Sequence, residues 1–242
     1  MSNATDAQPT TDSPPLLAKA LAFAGSSVGA KFLMALSGVG LCIFIVAHLA
    51  GNLLVFAGPE AFNGYARALH ANALVLWGGR AMMVTSIIAH LYFTVRTVAM
   101  NRAARPTPYA RGNNSPTSFA LSSRAITGGL ILVYMGYHLA HFTWHWVHRE
   151  NIRPLDDGSV DAYFMLVSGF SQAPIALLYI VANGFLGLHL SNSVYSMLQH
   201  LGFWGESFTP ALKKFSLVFG WGIALLFISI PAAVLMGMVK PS

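Results

Sequence analysis

The chain has 242 residues, 55% of them hydrophobic and only 9% charged, with a mean hydropathy of +0.58. So few charges cannot coat a soluble domain of this size, so the composition argues for a bilayer as solvent and against a water-soluble globule. The net charge of +6 would raise the question of nucleic acid in a soluble protein; here the basic residues lie between apolar stretches, where they orient the chain and bind no nucleic acid.

Residues 1–30 come first. The N-terminus is polar, Pro-bearing and slightly acidic, and it lacks the basic start of a secretory signal. It reads as a disordered cytoplasmic tail. Residues 16–30 are mildly amphipathic and suit the inner membrane surface. Five apolar stretches follow, at 32–57, 74–95, 125–147, 174–197 and 215–238. A helix needs about 20 mainly apolar residues to cross ~30 Å of hydrocarbon, and a span must be helical to satisfy its own backbone. The lone cysteine, Cys42, lies in the first span and can form no internal disulfide. Arg80 interrupts the start of the second, from where its long side chain can reach the interface.

The loop charges give an orientation. With the N-terminus inside, Lys19, Lys31, Arg96, Arg102, Arg105, Arg111, Arg124, Lys213 and Lys214 are cytoplasmic. Arg67, Arg80, Arg149, Arg153 and Lys240 are outside, nine basic residues against five. The positive-inside rule therefore predicts N-in, C-out. Trp77, Trp144, Trp146, Trp204 and Tyr163 fall near the predicted interfaces, as an aromatic belt would.

Ionisable residues inside a membrane are costly and are functional candidates by default. His48, His90, His138 and His189 lie well inside four different spans. His48 and His138 fall about 20–24 Å along outward-running helices, and His90 and His189 about 22–24 Å along inward-running ones. They form two pairs at two depths. Bis-histidine ligation needs two facing imidazoles at one level, so the pattern fits two b haems stacked in a four-helix bundle. The predicted fold is an all-α membrane domain over 31–238, a four-helix haem-binding bundle with a fifth, peripheral helix.

An internal repeat supports the pairing. Ser37-Gly38 precedes His48, and Thr127-Gly128 precedes His138, with the hydroxyl eleven positions before the histidine in both. Eleven residues is close to three turns, so each hydroxyl lies on its histidine's face about 16 Å deeper, near the other pair. The glycines would let a flat macrocycle approach the backbone. Ser37, Gly38, Thr127, Gly128 and Asn52 are the predicted haem neighbours. Two rivals stay open. Each histidine could merely hydrogen-bond to a neighbouring helix. Alternatively zinc could use His138, His141, His145 and His148, and His141 could replace His138 as a haem ligand.

The run MALSGVGLCIFIVAHLAGNLLVFAGPEAFNGYA (34–66) resembles the first span and outer loop of the di-haem cytochrome b subunit of succinate:quinone oxidoreductases. SRAITGGLILVYMGYH (123–138) and LHLSNSVYSMLQHLGFWGES (188–207) resemble its third span and the end of its fourth, and IAHLYFTV (88–95) part of its second. The resemblance implies a membrane anchor for a flavoprotein subunit and an iron–sulfur subunit on the cytoplasmic face of a bacterial inner membrane, with room for a higher oligomer of the complex. It implies that His90 and His189 ligate the proximal haem and His48 and His138 the distal one, with electrons passing on to a membrane quinone, typically menaquinone. Menaquinol-oxidising fumarate reductases of this family can carry a glutamate where this chain has Gly187, which favours succinate oxidation here. For the quinone, Glu60, Arg67 and His70 on the outer loop are candidates, with Lys31 and Ser37 as inner alternatives. Other functional classes are the cytochrome b subunit of a hydrogenase or formate dehydrogenase, a transporter, and a purely structural anchor. A transporter would more often show broken helices at the midplane, and only Pro231 qualifies.

Overall fold

The computed structural model describes residues 15–104 and 116–241, the stretch 116–122 as helical backbone only. The predicted tail before residue 15, and Arg105 and Arg111 of the inner loop, lie outside the described residues. The described residues are mostly helical, joined by turns and loops, with an isolated bridge between Pro154 and Val160 and no strand among them. A short helix, α1 (Leu16–Gly25), leads into α2 (Ser27–Leu53). After α3 (Pro59–Ala71) come α4 (Ala73–Ala103), α5 (Pro116–Phe142), α6 (Ala162–Phe170), α7 (Ala173–His200) and α8 (Thr209–Leu235). Five of these helices, α2, α4, α5, α7 and α8, are long and apolar enough to cross a membrane.

The five spans agree in place with those read from the sequence, but their ends differ: α2, α5 and α8 begin five to nine residues earlier, and α4 and α5 end elsewhere. The apolar part of α4 stops near Arg96, yet the helix runs on to Ala103. A helix need not end where the hydrocarbon does, and Arg96 secures this extension by donating to the Gly25 carbonyl at the end of α1 (2.7 Å). The predicted third span ran to residue 147, whereas α5 ends at Phe142. There the Thr143 and Trp144 N–H groups both bond to the Leu139 carbonyl, and the chain turns away with His145 and His148 in the left-handed region (φ 53° and 55°). Histidine tolerates that conformation better than most residues with a Cβ.

Small residues set the packing. α4 lies on α2 where Gly40 meets Ser86; a Cβ at Gly40 would overlap the serine hydroxyl. α7 packs on α2, α5 and α8, and α8 also touches α2. One apolar core joins Leu49 of α2 with Leu190, Val194 and Ile223 of α7 and α8. A second lies at the α3/α6 end, where Phe62, Tyr163, Val167, Phe170, Tyr179 and Ile230 come together. Neither α3 nor α6 was expected from the sequence. Tyr163, predicted for an aromatic belt, is buried in this core and donates to the Lys240 carbonyl (3.1 Å). Trp77, Trp144, Trp146 and Trp204, four of the five tryptophans, are each close to half exposed or more.

Asp161 holds that end together. Its carboxylate, almost fully buried, accepts from Asn63 Nδ2 (2.9 Å), the Phe164 N–H (2.9 Å), and Arg153 Nε and Nη2 (2.9 and 2.7 Å). Asn63 in turn accepts from the Tyr163 N–H (2.9 Å), so one network ties α3 to α6. Burial pushes the Asp161 carboxyl up, but the hydrogen bonds from Phe164, Asn63 and Arg153 outweigh it and hold it below the ordinary aspartate range. The unfolded group therefore takes up its proton at a higher pH than the folded one. The stability it contributes is complete above the ordinary aspartate value and is lost as pH falls through the folded value. Asp161→Ala is expected to cost about 3 kcal/mol, near the low end for a broken buried pair, because the Arg153 side chain is 43% exposed. Thermal unfolding in detergent at neutral and acid pH checks both points: the deficit of the variant should shrink in acid.

Candidate haem-binding histidines

The four intramembrane histidines stand on α2, α4, α5 and α7, one on each. His48 of α2 and His138 of α5 face each other with ring centroids 5.7 Å apart and planes nearly perpendicular (87°). Phe44 stacks on His48 (5.6 Å), and Phe227 of α8 lies beside it (6.0 Å). Tyr134, Phe142 and Tyr179 surround His138. Asn52, one turn beyond His48, donates to the His48 carbonyl (2.8 Å) and lies 3.4 Å from its Nε2.

The other two histidines lie toward the α1 end. His90 Nδ1 is 3.4 Å from Ser37 Oγ and 3.3 Å from the Met34 carbonyl. His189 Nδ1 is 3.2 Å from Thr127 Oγ1. The repeated hydroxyls thus do not serve the histidines that follow them in the sequence. Ser37 of α2 reaches α4, and Thr127 of α5 reaches α7. Both hydroxyls also donate to their own helix, Ser37 to Met34 and Thr127 to Ser123 (2.8 and 2.7 Å), which leaves a lone pair to meet the imidazole. The glycines follow suit. A Cβ at Gly38 would lie 3.8 Å from His90 Cε1 and 3.2 Å from Met197 Sδ, and one at Gly128 would lie 3.2 Å from His189 Cε1.

No protein family, curated protein or solved structure matches this chain.

Metal-bound histidine usually engages its second ring nitrogen with an oxygen, which sets tautomer and ring orientation. His90 and His189 both present Nδ1 in this way, leaving Nε2 for iron. His138 Nδ1 is buried without a hydrogen-bond partner, a state that calls for a missing one. His48 and His138 face each other as bis-imidazole ligation requires. The residues fit zinc poorly, since no three His, Cys, Asp or Glu side chains among the described residues are gathered to hold a metal ion. His141 looks elsewhere than His138. It is 1% exposed, stacks on Phe142 (3.9 Å), faces His148 (4.8 Å) and approaches Tyr179 Oη through Nδ1 (3.1 Å). Gly169 of α6 closes over it, where a Cβ would be 3.1 Å from its ring.

The quinone candidates are less concentrated. Glu60, Arg67 and His70 all lie on the exposed side of α3. Arg67 pairs with Asp157 (3.7 Å) and His70 Nδ1 with the Ala66 carbonyl of its own helix (2.8 Å). Lys31 is half-buried near the start of α2. None of them lines the open cavity of about 620 Å³ at the end of α7, which Gln199, His200, Trp204, Glu206 and Thr209 surround. His200, whose Nδ1 is buried without a partner, drew no notice in the sequence because it ends its span. Gly187, two residues before His189, faces α8: a Cβ there would stand 2.8 Å from Ala224 Cβ and 3.1 Å from Trp221.

Proposed function

We propose that this chain is the di-haem cytochrome b subunit of a succinate:quinone oxidoreductase in a bacterial inner membrane. One observation carries the reading: four histidines on four membrane-length helices, with Ser37 and Thr127 reaching across to orient His90 and His189. In this reading α2, α4, α5 and α7 form the haem bundle, α8 stands outside it, and the α1 end faces the cytoplasm. Haem bound there would supply one-electron carriage across the membrane, from the iron–sulfur subunit to menaquinone or another quinone. The chain's own residues hold it. His90 and His189 serve the inner haem and His48 and His138 the outer one. Gly38 and Gly128 leave room beside the inner rings, and apolar side chains exclude water. Succinate chemistry belongs to a flavoprotein partner, because this chain has neither a nucleotide-binding glycine motif nor a cysteine cluster.

The first test is a count. The purified chain should give two b haems per polypeptide in a pyridine haemochrome assay, with a low-spin reduced-minus-oxidised spectrum. One haem or none would overturn the assignment. Co-purification of an iron–sulfur and a flavoprotein subunit separates a succinate dehydrogenase from the hydrogenase and formate dehydrogenase readings.

A further inference from the structure

A buried polar contact between spans lies outside the histidine pairs, on the seam between α7 and α8. Ser216 of α8 is 0% exposed. Its hydroxyl donates to the Ser191 carbonyl (2.7 Å), with the Leu190 carbonyl at 3.3 Å, and accepts from the Tyr195 N–H (3.0 Å). In an unbroken α-helix the Tyr195 N–H bonds to the Ser191 carbonyl, since the two are four residues apart. The Ser216 oxygen thus bonds both members of one rung of α7, which is α-helical throughout Ala173–His200, and ties that rung to α8. That rung begins two residues after His189. On the other side of His189, Gly187 meets Ala224 and Trp221 directly. Between them the two helices touch backbone to backbone, because Gly220 has no Cβ to keep it off Ser191 and the Gly187 carbonyl. The α7 backbone is therefore seated on α8 immediately before and after His189, with almost no compliant side chain between. The His189 ring points to the opposite side, at Thr127 and Gly128 of α5.

We propose that Ser216 is a positioning residue for His189: by binding the 191–195 rung it sets the local course of α7, and with it how far the imidazole reaches toward α5. The inference rests on the haem reading above. It assigns α8 a task that a merely peripheral span would lack, the tuning of one haem and not the other. His48 is touched by α8 through Phe227, an apolar contact with no hydrogen bond, so Ser216 acts on the inner site selectively.

The test uses the whole complex with its haems. In Ser216→Ala the rung loses its hydrogen bonds to α8, and the midpoint potential and low-spin EPR signature of the His90/His189 haem should shift. Those of the His48/His138 haem should stay at their wild-type values. Ser216→Thr, which keeps the hydroxyl, should restore the inner haem. If Ser216→Ala does not accumulate, Ser216→Cys, with its longer and weaker hydrogen bonds, should give the same selective shift in smaller measure. An unchanged inner haem, or equal shifts of both haems, would overturn the proposal, because the first denies the coupling and the second indicates general loosening. A wild-type complex without two haems would instead defeat the functional reading on which the proposal stands.

Discussion

His138→Ala should leave the chain with one haem in place of two, and His141→Ala should leave it with both. The two histidines are one helical turn apart, and both are ringed by aromatic side chains, so composition alone does not choose between them. Their directions do. His138 faces His48 across the space between α5 and α2. His141 is turned to α6 and α7, stacked on Phe142 and covered by Gly169. Removing a buried imidazole of the second kind costs packing, about 2–4 kcal/mol by analogy with other large buried truncations, but not a ligand. Removing the first leaves a bis-imidazole site with one partner, and low-spin haem does not survive that. Haem content by pyridine haemochrome, with redox titration to say which haem is gone, decides the matter. His48→Ala should match His138→Ala, and His90→Ala and His189→Ala should remove the other haem. Loss of a haem in His141→Ala with both retained in His138→Ala would reverse the α5 assignment.

The sequence spoke clearly wherever a single physical signal governed the outcome. Hydropathy over a membrane's thickness located all five spans. Three-turn spacing placed Ser37 and Thr127 on the faces of His48 and His138, and the structure shows the oxygens reaching His90 and His189 on other helices. It was silent where several weak signals met. α6 is nine residues of apolar sequence, too short to cross a membrane, and it forms because Asp161 caps it by accepting the Phe164 N–H and because α3 supplies Asn63. Asp161 directly precedes α6, but Asn63 lies 98 residues before Asp161 in the chain. The end of α5 was misjudged because residues 143–147 are aromatic enough to continue a span, and the left-handed turn uses histidines rather than a glycine that would mark it. Ser216 gave no sign at all. A serine in an apolar run is commonly bonded to its own helix, and only the neighbouring helix shows that this one bonds across the seam. Charge and depth single out Arg67, His70 and Glu60, and α3 places all three on its exposed side.

Gly220→Ala should be among the most damaging single substitutions in the membrane domain, although it adds one methyl group to a helix. Elsewhere in a helix that change is favourable by about 0.8–1 kcal/mol, since alanine is the better helix former. At Gly220 the new Cβ would overlap the Ser191 backbone nitrogen, with Ser191 Cα at 2.9 Å and the Gly187 carbonyl oxygen at 3.0 Å. All three are backbone atoms, so no side-chain rotation can relieve the clash. α8 would have to draw away from α7, stretching the Ser216 hydrogen bonds and loosening the core of Leu190, Val194 and Ile223. Overpacking of this kind costs about 1–3 kcal/mol, occasionally more, and here the lost hydrogen bonds add to it. Gly222 is the internal control. It lies two residues further along the same helix, and a Cβ there would meet nothing within 4 Å. Gly222→Ala should therefore be neutral or mildly stabilising. Thermal unfolding of the two variants in the same detergent tests the difference. Gly220→Ala should melt well below wild type and Gly222→Ala at or above it, and equal melting of both variants would show that the α7/α8 seam is not the tight contact its geometry describes.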